Sequence, residues 1–216
     1  MNSTATTDVS YREQLQSGID ALQLTLPSSA VEQLLQYLAL LQKWNRAYNL
    51  TAVRDPAEMI ARHFLDSLAI VPFIRGERFA DVGTGAGLPG IPLAIAFPDK
   101  QFDLIDSNGK KIRFVTQAIA ELQLSNVRAI QGRVETLQPQ QKYAAVLSRA
   151  FASLHDMADG CAHLLDTDGV LLALKGTLPD DELQALPAHY RVDACHALNV
   201  PGVVGQRHLI EIRPQQ

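Results

Sequence analysis

The sequence predicts an α/β fold: a mostly parallel sheet with an antiparallel C-terminal edge, preceded by a helical extension. Three observations predict it. From Arg78 onward strand-like and helix-like stretches alternate, which argues parallel strands joined by right-handed crossovers. Ahead of Arg78 the apolar residues recur at helical spacing. From His189 to Arg213 two strand-like stretches flank Pro201-Gly202 and Gly205, as in a hairpin-like pair. The chain therefore divides into a helical extension over residues 1–75 and a sheet core over 76–216. Its 216 residues suit one α/β domain plus an extension, and 47% hydrophobic residues suffice for a sizeable core.

In chain order, residues 1–8 read as a disordered tail, and Tyr11 to Leu24 is loosely helical until Pro27. Ser29-x-x-Glu32 reads as a capping box. Leu34, Leu35, Leu38, Leu41 and Trp44 then follow at helical spacing. Asp55-Pro56 reads as an N-cap followed by proline at the first helical position. The helix it opens carries Met59, Ile60, Phe64, Leu65 and Leu68 and ends near Pro72. Strands are expected at 78–82, 102–106, 127–131, 143–147 and 169–175, and helices at 88–97, 109–123 and 153–164. Cys161 and Cys195 have no metal-binding or redox spacing and read as small core residues, which suits a reducing cytosol. The N-terminus lacks the basic and apolar regions of a signal peptide, and no apolar run reaches spanning length. A cytoplasmic protein without membrane partner or metal is expected. A net charge of −4 argues against coating nucleic acid by bulk electrostatics and leaves room for a local basic patch.

The chain is organised around Phe79 to Gly90. An apolar stretch ends in Asp81, and Gly83, Gly85 and Gly87 follow at every second position. Gly90 and Pro92 precede the apolar run Leu93 to Phe97. This reads as a strand, a tight turn and the start of a helix. Glycine there permits positive φ and close approach of a ligand. Free N–H groups at the helix N-terminus add a partial positive end. Gly85, Gly87 and Gly90 satisfy the dinucleotide fingerprint, so NAD(P) is one reading. The wider pattern places a carboxylate two residues before the first glycine, where it would repel a pyrophosphate and favour an ammonium. Asp81-x-Gly83-x-Gly85-x-Gly87 resembles the first motif of the Rossmann-like S-adenosylmethionine-dependent methyltransferases, so S-adenosylmethionine is the expected cofactor.

Asp106 ends the second strand about 20 residues after the glycine turn, where an acidic residue accepts hydrogen bonds from ribose hydroxyls. The other reading is an N-cap of the following helix, and Asp103 competes from inside the strand. Gly132-Arg133-Val134-Glu135 follows the third strand, so Val134 and Glu135 are candidates for adenine contact or for a surface turn. Ligands of open α/β sheets bind beyond the carboxyl ends of the strands, which sets Arg149 at the mouth of the site. It would hold a phosphate, order the cofactor pocket or form a surface salt bridge. Lys175-Gly176 and Arg207-His208 also fall near the mouth, although a lone His208 is as well explained structurally.

Across these stretches the chain resembles one family. Asn45-Arg-Ala-Tyr-Asn49-Leu-Thr, His63-Phe-Leu-Asp66-Ser-Leu, the glycine turn, Asp106-Ser-Asn-Gly-Lys-Lys, Ser148-Arg-Ala, Lys175-Gly and Gln206-Arg-His-Leu look like the bacterial small-subunit rRNA guanine-N7 methyltransferases, the RsmG or GidB family. The resemblance runs in order from about residue 30 to 212. It implies methylation of N7 of one guanine in the 530 loop of 16S rRNA. The expected partner is that rRNA within the small subunit or an assembly precursor, and a monomer is expected. The resemblance implies cofactor contacts at Gly83, Leu88, Val134, Glu135 and Arg149, beside Asp81, Gly85, Gly87 and Asp106. Asn45, Arg46, Arg149, Arg207 and His208 are the expected RNA contacts. Lys111 stands where the family often has Arg, and Gln206 where Glu is common.

Guanine N7 has an in-plane lone pair and no proton to lose, so no catalytic acid or base is expected. Alignment and exclusion of water would carry the rate. The product ring gains positive charge, so carbonyls or carboxylates help more than arginines. N7 faces the deep major groove of an RNA helix, so a loop guanine or a flipped one is the plausible substrate. Arg46, Arg62, Lys110, Lys111, Arg113 and Arg149 supply local positive charge. Tyr48 and Trp44 would stack on a base, or Trp44 would pack in the core. Two rival readings are a small-molecule methyltransferase with a helical lid and a non-enzymatic S-adenosylmethionine- or RNA-binding module.

Overall fold

The computed structural model describes residues 3–215. Helix α1 (Ser3–Ala21) begins inside the stretch read as a tail, because its Ser, Thr and Ala include no helix breaker; Met1 and Asn2 lie outside the described residues. Helix α2 (Ala30–Tyr48) buries Leu34, Tyr37, Leu38 and Leu41 and ends at Asn49 in the left-handed conformation, φ 51°. The capping box is not formed. Ser29 is itself helical and bonds the Gln33 side chain, while Glu32 pairs with Arg12 and so ties α2 to α1. Asp55 does cap α3 (Pro56–Met59), accepting from the N–H groups of Ala57 and Glu58 at 2.7 and 3.3 Å.

The continuous helix expected to Pro72 is instead segmented. A π-helical stretch, Ile60–Leu65, follows α3 and leads into α4 (Asp66–Leu68) and a 3₁₀ turn, Val71–Phe73. From Met59 to Ile70 only Arg62 is exposed. The segment thus carries three polar side chains inside, His63 in the π-helical turn and Asp66 and Ser67 in α4, among otherwise apolar neighbours.

The core is a seven-stranded sheet in the order β3-β2-β1-β4-β5-β7-β6. Its strands are β1 (Arg78–Val82), β2 (Gln101–Asp106), β3 (Val127–Gln131), β4 (Tyr143–Ser148), β5 (Leu165–Lys175), β6 (Tyr190–Ala197) and β7 (His208–Pro214). The first five run parallel, β7 is antiparallel to both its neighbours, and β6 forms the edge. The C-terminal pair closes the sheet as expected, with β7 inserted between β5 and β6. Helices α5 (Gly90–Ala96), α6 (Gly109–Glu121) and α7 (Leu154–Cys161) make the crossovers. A short helix not foreseen, α8 (Asp180–Gln184), precedes β6. Strand order reverses at β1 and β4, so their carboxyl ends form the switch point where such sheets hold ligands.

One face of the sheet shares a core with the extension: Tyr37 stacks on Phe64 at 5.1 Å and on Phe114 at 6.3 Å, beside Phe79 and Phe102. The other face packs on α7 through Val146, Met157 and Leu171. Cys161 is buried there, whereas Cys195 is exposed, contrary to its reading as a core residue, because β6 is an edge strand with alternate residues turned to solvent. Asp103, the rival of Asp106, is an internal tie. It bonds Arg128 of β3, Arg78 of β1 and Tyr143 of β4. Among the described residues no helix is long and apolar enough to cross a membrane.

Asn126 closes the amino end of the sheet, donating to the carbonyls of Ala94, Phe97 and Lys100 at 3.0 to 3.1 Å. Asn126→Ala removes these bonds, leaving Phe97 O only its Lys100 N–H donor, at a cost of roughly 2–3 kcal/mol. The expected outcome is a lower urea midpoint with an unchanged slope.

Candidate active site

The turn after β1 is held from three sides. The N–H groups of Gly83 and Thr84 donate to Ile105 O of β2 at 2.8 and 3.1 Å. Gly85 N–H donates to Asp106 at 3.0 Å. Asp81 is 1% exposed, and one of its oxygens accepts from Thr84 Oγ1 at 2.6 Å and Gly90 N–H at 2.9 Å. Its other oxygen has no partner, and burial pushes the carboxyl up to about 6 against those two bonds. The carboxylate read as the partner of an ammonium therefore first clasps the turn itself.

The glycines divide by what surrounds them. Gly85 has φ +61°, and a Cβ there would meet nothing nearer than Gly83 O at 3.9 Å, so open space lies before it. At Gly87 a Cβ would strike Ile91 at 2.4 Å, and Tyr37 of the extension donates to the neighbouring Ala86 O. Gly87 serves packing against the extension rather than the open side.

Two cavities flank Gly83. The one of about 240 Å³ is lined by Val82, Ile105, Asp106, Val134 and Glu135. The one of about 330 Å³ is lined by Thr51, His63, Gly85, Leu88 and Arg149. Apart from Asp81 and Gly87, all the residues expected to hold the cofactor line one or both. Asp106 stays on the ligand side, since the capping alternative falls to Asn108, which accepts from Lys110 N–H at 2.9 Å. Open backbone at Gly85 and acceptors at Asp106 suit a long nucleoside ligand crossing Gly83, and S-adenosylmethionine fits this shape.

Arg149 and Arg207 converge on Asp66. Arg149 Nη1 lies 3.1 Å from one carboxylate oxygen and Arg207 Nε 3.0 Å from the other, and the Asp66 side chain is 8% exposed. The salt-bridge reading of Arg149 holds in part, but its partner is buried and the pair walls the site. His63 bonds Thr51 Oγ1 through Nε2 at 2.8 Å. Burial, then the charges of Arg149 and Arg62, lowers its pKa to about 4, so the imidazole is neutral at physiological pH. Neither His63 nor Asp66 is a site candidate on spacing alone, because both sit on an apolar helix. Their signal is the motif His63-Phe-Leu-Asp66.

Asn45 is a correction. It is 3% exposed and uses both ends of its amide on its own chain, donating to Val53 O and accepting from Thr51 N–H. It shapes the loop that brings Thr51 to the cavity, and its amide is not offered at the surface. Arg46 is exposed at the end of α2. Trp44 packs edge-on against Phe114 at 5.7 Å, and the exposed Tyr48 stacks on it. Lys111 approaches Asp106 at 3.5 Å, and Arg62 pairs with Glu58. Lys110 is exposed, and Arg113 donates to Gly109 O. His208 lies 2.8 Å from Gly176 O through Nδ1, and Lys175 pairs with Glu182 at 2.9 Å.

The family model described as rRNA small subunit methyltransferase G matches residues 30–210, from the start of α2 into β7. The chain belongs to that family. The ribosomal RNA small subunit methyltransferase G of Ectopseudomonas mendocina is 55% identical over 205 residues, 94% of this chain and 96% of that protein. That of Stutzerimonas stutzeri is 53% identical over 206 residues. The solved glycopeptide N-methyltransferase MtfA, complexed with S-adenosyl-homocysteine, matches with a TM-score of 0.59 at 10% identity. It covers 70% of this chain and 87% of MtfA and shares the Rossmann-like fold. In this member of the methyltransferase G family the matched segment includes the whole glycine turn and both arginines bound to Asp66.

Two outcomes are expected. Gly85→Val puts a side chain into the open space at a strained φ, costing about 1–2 kcal/mol of stability. Titration calorimetry should show S-adenosylmethionine affinity reduced at least about tenfold in a folded variant. The depressed His63 pKa gives the second. The unfolded chain takes a proton on this side chain below its ordinary value of 6.5 while the fold resists to about 4, so stability falls as pH drops through that window. Between pH 7 and 5 wild type should lose roughly 2 kcal/mol relative to His63→Gln in urea titrations.

Proposed function

We propose that this chain transfers the methyl group of S-adenosylmethionine to N7 of a guanine in the 530 loop of 16S rRNA. It acts on the small subunit or an assembly precursor, as a monomer in the cytoplasm. Family membership supports methylation of small-subunit rRNA. The observation that carries the choice of atom is the cavity beside Gly85. No carboxylate lines it, and its one imidazole, His63, is a weak base bonded to Thr51. A nucleophile that must lose a proton is poorly served there, whereas N7 needs no base.

When bound, S-adenosylmethionine supplies a methyl on a sulfonium, which the N7 lone pair accepts. The chain's residues hold and align. Asp106, Val134 and Glu135 receive the nucleoside end, and Gly83 and Gly85 let it lie against the backbone. Thr51, His63, Leu88 and Arg149 wall the space for the base and exclude water, and alignment supplies most of the acceleration. The ring becomes cationic, so a charged imidazole here would oppose the reaction. Burial of His63 removes that charge.

The test is transfer of labelled methyl to small ribosomal subunits from cells lacking this protein, with large subunits as control. Label should appear at N7 of one guanine and fall about 100-fold with Arg149→Ala, a loss of roughly 3 kcal/mol in the transition state. Absence of label on subunits and naked rRNA, with S-adenosylmethionine still bound, would shift the reading to a small-molecule substrate.

A further inference from the structure

Arg149 is the shared wall of two spaces. On one side is the cavity of Gly83 and Gly85. On the other is a smaller cavity of about 120 Å³, lined by Asp66, Arg149, Lys175, Gly176, Arg207 and His208. Nothing in the methyl-transfer argument uses this outer space. Its size, half or less of the other two, suits a compact group rather than a base.

The polar atoms around it are arranged for an anion. Asp66 gives one oxygen to each guanidinium, so the two arginines are fixed relative to one another. Arg149 uses one nitrogen in this way, and Arg207 uses Nε on Asp66 and Nη1 on Gln206 O. Among the described residues the second terminal nitrogen of each guanidinium has no protein partner. Both side chains are about a quarter exposed, 26% and 25%, so these donors are held within the cavity wall yet open to a ligand from solvent. Lys175 is neutralised by Glu182, and Asp66 neutralises one of the two arginines. Counting Arg149, Arg207 and Lys175 against Asp66 and Glu182 leaves one positive charge. A single monoanionic group balances it. Planar guanidinium donors match the paired oxygens of a phosphate.

We infer that the outer cavity is the site of one phosphodiester group of the RNA substrate, gripped between Arg149 and Arg207, with Asp66 as the positioning residue. This rests on the proposed RNA substrate and deepens it. S-adenosylmethionine carries no phosphate, so the bound group comes from the polynucleotide. Arg149 then touches the phosphate on one face and the base cavity on the other, which fixes where the nucleotide sits relative to the methyl donor. The three anchors come from α4, the loop after β4 and the segment just before β7, so the site exists only in the assembled fold.

The experiment uses the full chain, naked 16S rRNA as the RNA probe, and filter binding over a range of salt, with S-adenosylmethionine titrated separately. Arg207→Gln should bind the cofactor as wild type does, bind RNA about tenfold more weakly, and lose about 0.7 from the slope of log affinity against log salt, one phosphate contact on a single strand. Arg207→Lys keeps the charge and should retain the wild-type slope. Thermal midpoints of both variants check that they are folded. Unchanged RNA affinity and slope in Arg207→Gln would overturn the phosphate site even if wild type methylates N7. A cofactor affinity that falls by the same factor as RNA affinity would also overturn it. A lost slope increment in a wild-type background that methylates no guanine would support the phosphate site and sink the N7 reading.

Discussion

A buried carboxylate shapes the backbone on which the site is built. Asp81 clasps both ends of the strand-to-helix turn through Thr84 and Gly90, and the turn can then hold Gly83 and Gly85 at positive φ, Gly83 closed against Ala150 and Gly85 open to the cavity. This arrangement is costly in isolation. A carboxyl whose pKa is raised to about 6 and that is ionised at neutral pH destabilises the fold by roughly 3 kcal/mol. The sheet around it offsets the cost. Its neighbouring strands are tied across β3, β2, β1 and β4 by Asp103, and its front face is packed on the helical extension. Strain concentrated at a site and offset elsewhere is the common pattern of functional turns.

The charges beyond the turn follow a division of labour. The chain carries −4 overall, yet positive charge gathers at the mouth, where Arg149 and Arg207 share Asp66. On the side where a methyl would move, the imidazole is neutral and no carboxylate is at hand. The rim therefore presents positive potential, while the cavity beside Gly85 offers no strong base. Arg149 joins the two regions. It lines both cavities, whereas Arg207 lines the rim cavity and not the one beside Gly85.

Much of the site was legible before any coordinates. Asp81-x-Gly83-x-Gly85 announced a ligand-holding turn because only glycine tolerates its φ. Asp106 was picked by its distance after the glycine turn, Val134 by its loop after the third strand and Arg149 by its place beyond a strand's carboxyl end, and all three line the cavities flanking Gly83. The misreadings have physical causes. Ser29 and Glu32 have capping-box spacing, but Ser29 is itself helical and Glu32 turns to Arg12 of another helix. Asn45 sits in a polar motif that reads as RNA contact, but a buried amide is more stable closing its own loop. Residues 3–8 lack core-forming side chains and still continue the helix.

The sequence by itself determined the alternation of strands and helices, the glycine turn and the family, because these depend on local backbone preference and on spacing along the chain. Only the tertiary structure decided which charged groups meet. Asp66 lies 83 residues from Arg149 and 141 from Arg207, and no periodicity links them. The π-helical turn and the α4 turn after it place His63 and Asp66 inside a segment that reads as apolar, and strand order brings the two arginines to Asp66. Whether a buried charge is paired, neutralised or left free for a ligand depends on what the fold places within a few ångströms of it.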